Sequence, residues 1–559
     1  MLDPTTDQIK IRDHAGLSLL VIAPAGCGKT EALALRIAAL LHSGTVRQPR
    51  RVLVTTFTNK AKENITERLN NHVAPALIRK HVTIANFHGL AARIYRAHSN
   101  VIDMDPAALL PESDWVTDQC RKQNIPYKAA QVAKKALQSV KLDDVDDGEV
   151  ASRLLEAGET LALQIENLRI SENVLTYDDL PRLAALILTH QGVAELYSQH
   201  FGAIVVDEFQ DLTPQQLRII NHIGAGKTTF AGDLAQGIYG FAGADPAFVY
   251  AAISNECTDR LEFSTSHRSS PAVLTAVNAL AAITGSVELT AATPESWPGG
   301  GLVTRLDYDS ADGEAQSIVK LCRYILDRGQ HQRIGIVTRI TSRRRFVDSA
   351  LVGSGVPFHR WDDGVLDSTA ASHMKSMLST LNPTVIAASE DPLGDLREHA
   401  GIDTIADPDT RKAVLDAVDW VYDLLQSGER PDDIRARIRV GGTSTLLDSP
   451  GVHLLTAHAG KGQQFDWVVA LGLEDGHIPY FEAKAPEHIV EEARILSVIL
   501  SRARHGIFLT VSCDVPNSSG NSWHRNPSRF WQHLHGTYLD RVESARWLGD
   551  ADWSQIQAK

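Results

Sequence analysis

Residues 18–44 read SLLVIAPAGCGKTEALALRIAALLHSG, and this stretch decides the fold. An apolar run ends in a glycine-rich turn, after which apolar residues recur at helical spacing as far as Gly44. The backbone N–H groups of such a turn can cradle phosphate oxygens at the N-terminus of the helix. The order strand, loop, helix therefore predicts a nucleotide-binding α/β core. The expected phosphate-binding residues are Ala25, Gly26, Cys27, Gly28, Lys29 and Thr30.

A second, acidic segment indicates that the nucleotide is hydrolysed. Lys29 can reach the β- and γ-phosphates of ATP, and the Thr30 hydroxyl can ligate Mg²⁺. The segment AIVVDEFQD places Asp207 and Glu208 directly after four apolar residues. At the end of a buried strand, Asp207 can hold the metal and Glu208 can polarise the attacking water. We therefore expect ATP as substrate and Mg²⁺ as cofactor.

Length and composition are typical of a soluble, folded chain of several domains. Of the 559 residues, 43% are hydrophobic and 22% are charged. No leader pattern or long apolar window is found, so we expect neither secretion nor membrane insertion. The five cysteines form no CxxC pair, which favours a reducing cytoplasm over a metal or disulfide framework. A net charge of -13 does not exclude nucleic acid, because binding a strand needs only local Lys and Arg.

Strand and helix patterns divide the chain into two α/β units with helical insertions. Short β-rich runs alternate with helical patterns in both halves, as parallel sheets require. The predicted fold is α/β with two RecA-like P-loop NTPase cores, each interrupted by a mainly helical insertion. The first core comprises 1–96 and 177–265 with an insertion at 97–176; the second comprises 266–363 and 450–545 with an insertion at 364–449. The sequence GAGKT at 224–228 follows a helix and precedes a strand, so we interpret it as a connecting turn.

An ordered series of segments resembles the helicase motifs of the UvrD/Rep/PcrA family of superfamily 1. The segments are APAGCGKT (23–30), TTFTNKAKENITERL (55–69), IANFHGLAARI (84–94), VVDEFQDLTPQQ (205–216), AGDLAQGIYGFAGA (231–244), LEFSTSHRSS (261–270), LLTAHAGKGQQFDWVV (454–469) and EEARILSVILSRARHG (491–506). The resemblance covers both α/β units. It implies a motor that hydrolyses ATP between its cores and moves 3′ to 5′ on single-stranded DNA or a 3′-tailed duplex.

The resemblance also assigns residues that composition cannot select. Gln8 would read the adenine base, while Gln236 and Arg268 would join Lys29 around the phosphates. Arg502 would act across the cleft from the second core. Phe57, Phe87, Tyr239 and Phe241 would stack on bases, and Thr58, Asn59, His88, Arg339 and His458 would make polar contacts with the strand.

Several positions depart from the family pattern. His267 stands where tyrosine commonly packs on adenine, Glu31 where arginine is common, and Gln464 where a glutamate contacts the ribose. These changes predict a looser base and sugar pocket. Phe241-Ala242 replaces a Trp-Arg pair, which removes one cationic contact. Cys27 is interpreted as a small-residue substitution, the alternative being a thiol whose pKa is lowered at a helix N-terminus.

Two functions remain open at this level. The first is a DNA-stimulated ATPase that translocates and unwinds, for which Glu208, Arg268 and Arg502 are the discriminating residues. The second is a nucleotide- and DNA-sensing subunit that controls a nuclease of the OLD family, as in Gabija-type antiphage systems. A second insertion shorter than the family's favours the second; DNA repair proteins are the partners implied by the first. The segment 517–559 is too short for a nuclease domain, and Trp523, Phe530 and Trp531 are expected to be packing residues.

Overall fold

Two parallel β-sheets, each flanked by helices, organise the chain. The computed structural model describes residues 3–111, 114–123, 125–361, 365–366, 368–387, 389, 391–402, 405, 408–426, 430–440, 449–516 and 522–559. Among these residues, none of the helices combines the length and apolar character needed to cross a bilayer.

The first sheet has six parallel strands in the order β3-β2-β4-β5-β1-β6. Its strands are β1 (Leu19–Ile22), β2 (Arg51–Thr56), β3 (Val82–Asn86), β4 (Phe201–Asp207), β5 (Thr228–Gly232) and β6 (Asp259–Glu262). The central strands are buried on both faces, which is why they read as continuous apolar runs. The carboxyl ends of β1 and β4 therefore meet at one edge of the sheet, with only β5 between them.

In the described residues, thirteen helices accompany this sheet and its insertion. They are α1 (Thr6–Asp13), α2 (Lys29–His42), α3 (Asn59–Asn70), α4 (Pro75–His81), α5 (Phe87–His98), α6 (Trp115–Lys122), α7 (Tyr127–Val140), α8 (Asp147–Glu156), α9 (Thr160–Ser171), α10 (Asp179–Leu188), α11 (Gln191–His200), α12 (Pro214–Gly224) and α13 (Pro246–Glu256). Helices α6–α9 pack on one another around Leu137, Val150 and Ile165. The GAGKT segment runs from the end of α12 into β5, which confirms that it is a connecting turn.

The second sheet has seven strands in the described part of the chain. The remaining strands of the chain are β7 (Thr265–Ser266), β8 (Thr290–Ala291), β9 (Leu302–Ser310), β10 (Arg333–Thr338), β11 (Phe358–Arg360), β12 (Val365–Leu366), β13 (Arg439–Val440), β14 (Gly451–Thr456), β15 (Phe465–Ala470), β16 (Ala503–Pro516) and β17 (Ser522–His524). The order is β11-β14-β10-β15-β16-β17, β9 also pairs with β16, and only β17 runs antiparallel. β7 pairs with β8 and β12 with β13 in two small parallel sheets.

Helices of the second half pack on this sheet or form the second insertion. They are α14 (Pro271–Asn278), α15 (Ala281–Thr284), α16 (Ala311–Arg328), α17 (Thr341–Leu351), α18 (Ser368–Thr380), α19 (Pro383–Ala387), α20 (Pro392–His399), α21 (Pro408–Gln426), α22 (Pro431–Arg437), α23 (Pro486–Leu500), α24 (Trp531–Leu534), α25 (Arg541–Asp550) and α26 (Trp553–Ala558). A separate apolar cluster with Met374, Leu396 and Val418 forms the core of α18–α22. Phe530 and Trp531 are buried as expected, whereas the side chain of Trp523 lies outside the described part.

A buried ionic network joins the first insertion to its core. Lys141, which follows α7, lies 2.8 Å from Glu166 and 2.9 Å from Asp179, and all three side chains are buried. Arg169 and Arg182 pair with the same carboxylates and with Asp147. Three cations thus compensate three converging carboxylates, so the cluster acts as a structural connection between the insertion and α10.

Removing one partner of this network should destabilise the first half of the chain. Lys141→Ala leaves two buried carboxylates short of a cation, which costs roughly 3–5 kcal/mol. The exposed Arg153, paired with Asp143 and Glu149, provides the control, because such surface pairs contribute about 1 kcal/mol or less. Urea unfolding followed by tryptophan fluorescence should show an earlier first transition for Lys141→Ala only. Equal midpoints for the two variants would contradict the structural role.

Candidate functional site

The phosphate turn is held open by two glycines at the end of β1. Gly26 and Gly28 have φ angles of 87° and 81°, a region that side chains with a Cβ rarely adopt. A Cβ on Gly26 would lie 2.7 Å from the Cβ of Arg268, and one on Gly28 would lie 2.7 Å from Nε2 of Gln8. The glycines therefore leave the space in which phosphate oxygens can approach the backbone at the start of α2.

Lys29 lies between the two acidic residues that follow β4. Its Nζ is 3.0 Å from Oδ1 of Asp207 and 2.5 Å from Oε2 of Glu208. Burial opposes a charge on Lys29, but the two carboxylates raise the pKa of its ammonium group. The structure thus brings together the lysine and the acidic pair that the sequence places far apart.

Glu208 is held in an uncommon backbone conformation. Its φ of 61° and ψ of 53° are left-handed, and such strain in a non-glycine residue is often found at functional sites. Gln210 donates a hydrogen bond of 2.6 Å to Oε2 of Glu208. Burial opposes ionisation, yet Lys29, Lys461 and Gln210 lower the pKa of Glu208 to about 2. The carboxylate is therefore ionised and can accept a proton or orient a water molecule.

Arg502, which is buried, and Arg268, which is partly buried, face the same cleft from different segments. Burial lowers the pKa of Arg268 to about 10 and that of Arg502 to about 9, so both are protonated at neutral pH. Arg502 is held by hydrogen bonds to the carbonyls of Val498 and Gln463. Nη1 of Arg268 is buried and has no hydrogen-bond partner among the described residues. A buried guanidinium in this state fits an anionic ligand.

The cleft lies between the two cores and has a volume of about 1160 Å³. The first core lines it with the phosphate turn, Asp207 and Glu208, and the second core lines it with Gly462, Gln464 and Arg502. Gln236 is buried here and donates a hydrogen bond of 3.0 Å to Asp233. Thr30 also lines this space, so Thr30 and Asp207 are the oxygen ligands that a divalent cation would find beside the phosphates.

Lys461 was missed by sequence reasoning, although it lies within a segment that the family resemblance covers. Its Nζ lies 2.6 and 2.7 Å from the carboxylate oxygens of Asp211 and 2.6 Å from the carbonyl oxygen of Gln236. It also lies 4.7 Å from the centre of the Tyr239 ring. Burial raises the pKa of Asp211 to about 6, although Lys461 opposes this rise. Lys461 is thus a buried cation of the second core that is bound to the first.

Three of the positions that depart from the family pattern line the cleft, and Gln8 lines it as well. Glu31 lies 2.5 Å from Nε2 of His72, which follows α3, so its carboxylate is already paired. Gln8 is buried and donates a hydrogen bond of 3.3 Å to the carbonyl of Gly28. His267 and Gln464 also line the cleft, and Gln464 is exposed. A nucleotide bound in the cleft can therefore come near all four residues.

The Cys27 thiol is not activated by its position. Its side chain packs in the apolar core under α2, and burial raises the pKa of the thiol to about 12. The alternative of a lowered pKa at the helix N-terminus is therefore wrong, because loss of solvent outweighs the stabilising field of the helix. The structure supports the interpretation of Cys27 as a small-residue substitution.

A group of aromatic rings lies beside the cleft and spans both cores. Phe57 stacks on Tyr239 with ring centres 5.0 Å apart, and Phe241 lies 5.9 Å from Tyr239. His458, from the second core, lies 5.2 Å from Phe241. Burial lowers the pKa of His458 to about 4, so the imidazole is neutral. Phe241 is 67% exposed. We call Phe57, Tyr239, Phe241 and His458 the aromatic groove.

The other residues expected to contact a strand differ in their placement. Phe87 is only 3% exposed and packs in the core of the first sheet, so its ring has no face for a base and the expectation for it needs correction. Thr58 is exposed and caps α3 by accepting a hydrogen bond from Ala61. His88 packs edge-on against Tyr177, and Arg339 donates a hydrogen bond to Glu492. The side chain of Asn59 lies outside the described part.

Comparisons with known proteins agree with this geometry. The family model described as "UvrD/REP helicase N-terminal domain" matches residues 5–256, and that described as "UvrD-like helicase C-terminal domain" matches 437–513. The chain is 27% identical to "ATP-dependent DNA helicase UvrD2" of Mycobacterium tuberculosis, over 91% of this chain and 78% of the relative. It is 24% identical to "ATP-dependent DNA helicase PcrA" of Leuconostoc citreum, over 94% of this chain and 84% of the relative.

Replacing Glu208 should separate nucleotide binding from turnover. Glu208→Gln keeps the size of the side chain but removes the ionised acceptor, so ATP should still bind while hydrolysis falls by about 100-fold or more. Glu262→Gln is the matched control, because Glu262 pairs with Arg260 on the exposed strand β6 of the same sheet. Binding of a fluorescent ATP analogue and release of phosphate measure the two steps. Normal hydrolysis by Glu208→Gln would refute the assignment.

Proposed function

Because the chain belongs to the UvrD/Rep-like family of ATP-dependent DNA helicases, we propose that it moves 3′ to 5′ along single-stranded DNA. The observation that carries the proposal is Lys461, which connects the nucleotide cleft to the aromatic groove. Its ammonium group binds Asp211, four residues after the Asp207 side chain that contacts Lys29, and lies over the ring of Tyr239. A change of structure in the cleft would therefore alter the contacts of the aromatic groove, and a change in the groove would alter those of the cleft.

The residues of the cleft have complementary tasks in hydrolysis. The phosphate turn and Lys29 would hold the β- and γ-phosphates, while Glu208 would orient and deprotonate water. Bound Mg²⁺ would neutralise phosphate charge, and Thr30 and Asp207 are the residues that would hold it. Arg268 and Arg502 place positive charge where negative charge accumulates in the transition state. Gln8 and Gln236 would orient the base and the γ-phosphate.

Movement follows from the division of the cleft between two cores. Arg268, Arg502 and Lys461 belong to the second core, whereas Lys29, Glu208 and Asp211 belong to the first. A triphosphate held by Lys29 on one side and by the two arginines on the other would draw the cores together, and its loss would leave the arginines repelling each other. Alternate closing and opening of the cleft would then move the groove relative to the strand.

The aromatic groove suits a strand of any sequence. Every base has a π-face, so stacking on Phe57, Tyr239 and Phe241 makes no selection among bases. Neutral His458 adds a polar edge from the second core. Since the groove has contributions from both cores, its grip changes when the cleft opens. Single-stranded DNA, or the 3′ tail of a duplex, is the substrate that this arrangement fits.

A second candidate function is control, through nucleotide and DNA binding, of a partner nuclease of the OLD type in antiphage defence. The observation that favours it lies beside the groove, where Ala242 follows the exposed Phe241 and provides no cation for a phosphate. Arg397 of the second insertion also forms a double ion pair, at 2.9 and 3.1 Å, with Asp118 of the first. DNA and nucleotide occupancy would then be signals passed to a partner, and strand separation would be incidental.

Direction of movement distinguishes the proposals. Streptavidin bound to either end of an oligodeoxynucleotide should be displaced from the 5′ end only, since a 3′ to 5′ motor runs towards that end. The same preparation should unwind a 3′-tailed duplex and leave a 5′-tailed duplex intact. Displacement from the 3′ end would contradict the polarity. Hydrolysis without any displacement or unwinding would favour the sensor.

Lys461→Met tests the connection between cleft and groove. The substitution leaves buried Asp211 without its cation and removes the contact with Tyr239, so DNA should stimulate hydrolysis about tenfold less while nucleotide binding persists. Lys320→Met, an exposed lysine on α16 of the second core, is the control. Steady-state hydrolysis is measured over a range of oligodeoxynucleotide concentrations. Full stimulation in Lys461→Met would contradict the connection.

A further inference from the structure

An aromatic pair with one exposed ring lies on the second core, outside the aromatic groove. Tyr480 and Phe481 have ring centres 4.5 Å apart and lie between β15 and α23. Tyr480 is half-buried, whereas Phe481 is 58% exposed, and among the described phenylalanines only Phe241, in the groove, is more exposed. An exposed ring of this kind offers a face on which a planar ligand can stack.

Consecutive residues of α23 connect this pair to the groove. The carboxylate of Glu491 packs on Gly240, where a Cβ would lie 2.7 Å from its Oε1, and Gly240 is the residue between Tyr239 and Phe241. Glu492 accepts a hydrogen bond of 3.0 Å from the backbone N–H of Tyr480. The first two turns of α23 therefore hold the groove on one side and the Tyr480–Phe481 pair on the other.

Arg339 lies near both the aromatic groove and the Tyr480–Phe481 pair. Its guanidinium donates a hydrogen bond of 2.9 Å to Glu492 and lies 5.4 Å from the centre of the Tyr480 ring. The same cation contributes to the lowered pKa of His458, after burial, which places it close to the groove. Arg339 thus lies beside Tyr480 and near His458, and these three side chains are of kinds that stack on bases or bind phosphates.

We propose that Tyr480 and Phe481 form an outer stacking platform for an unpaired base of the strand that runs through the aromatic groove. The inference rests on the proposed movement along single-stranded DNA and adds a contact on the second core. Phe481 provides the exposed face, and Tyr480, held by Glu492 and Arg339, keeps that face in position. A nucleotide leaving the groove beside His458 meets this platform next.

The local charges favour a base over a protein or a phosphate as the group that lies on Phe481. Glu482, Glu487 and Glu491 follow the pair along the chain, and Lys484 is the nearest lysine or arginine in sequence. Carboxylates repel the phosphates of a strand, so they orient its backbone outward and leave the bases to face the rings. Arg339 remains on the inner side, where the backbone passes on from the groove.

A ladder of oligodeoxythymidylates of about 4 to 16 nucleotides tests the platform. Fluorescence anisotropy measures their affinity for the wild type, for Phe481→Ala and for Phe481→Trp. Short oligonucleotides fill the groove alone and should bind all three proteins equally. Longer ones reach the platform, so Phe481→Ala should bind them roughly 5- to 100-fold more weakly than the wild type, and Phe481→Trp should retain tight binding.

Val352→Ala is the matched control, because Val352 is 61% exposed, follows α17 of the second core and is not among the residues that line the cleft. Equal affinity of wild type and Phe481→Ala at every length would overturn the platform. Equal weakening at every length would also overturn it, since that result indicates a disturbed groove. Failure of the proposed function itself is recognised separately: the wild type would then bind none of the oligonucleotides. Hydrolysis without DNA should be the same in all variants.

Discussion

The buried contact between Lys461 and Asp211 is the interaction on which the working geometry depends. It is an ion pair of 2.6 Å formed where the nucleotide cleft meets the aromatic groove, and its partners belong to different cores. A buried pair of this kind contributes less to stability than to a defined arrangement, because desolvation offsets much of the attraction. Its consequence is that the two cores are joined where the cleft meets the groove.

The cleft is otherwise electrostatically incomplete. Lys29 is compensated by Asp207 and Glu208, but a buried nitrogen atom of Arg268 has no hydrogen-bond partner in the described part of the chain, and burial lowers the pKa of both Arg268 and Arg502. The interaction between such charges is strong in a medium of low dielectric constant. A bound triphosphate would supply negative charge, and its hydrolysis would remove part of that charge again. We therefore propose that the affinity of the two cores for each other depends on the nucleotide.

Sequence reasoning recovered the parts of the site that rest on local backbone chemistry. The glycine turn before Lys29 and the acidic pair after β4 follow from strand, loop and helix order, and both lie where expected. Side-chain environment was harder to foresee. Phe87 and Phe57 are both phenylalanines in matched motifs, but Phe87 packs into the core of the first sheet. Cys27 is buried although it lies just before a helix. Lys461 and the Glu31–His72 pair depend on contacts between distant segments, which a single sequence does not encode visibly.

The central claim is that binding of a strand and hydrolysis of ATP are coupled in this chain. Steady-state ATP hydrolysis by the purified protein, measured with and without a single-stranded oligodeoxynucleotide, tests it most directly. The account predicts weak hydrolysis alone and at least a tenfold increase with the strand, because DNA in the groove orders Tyr239 and with it Lys461 and Asp211. Hydrolysis at the same rate in both conditions would contradict the coupling.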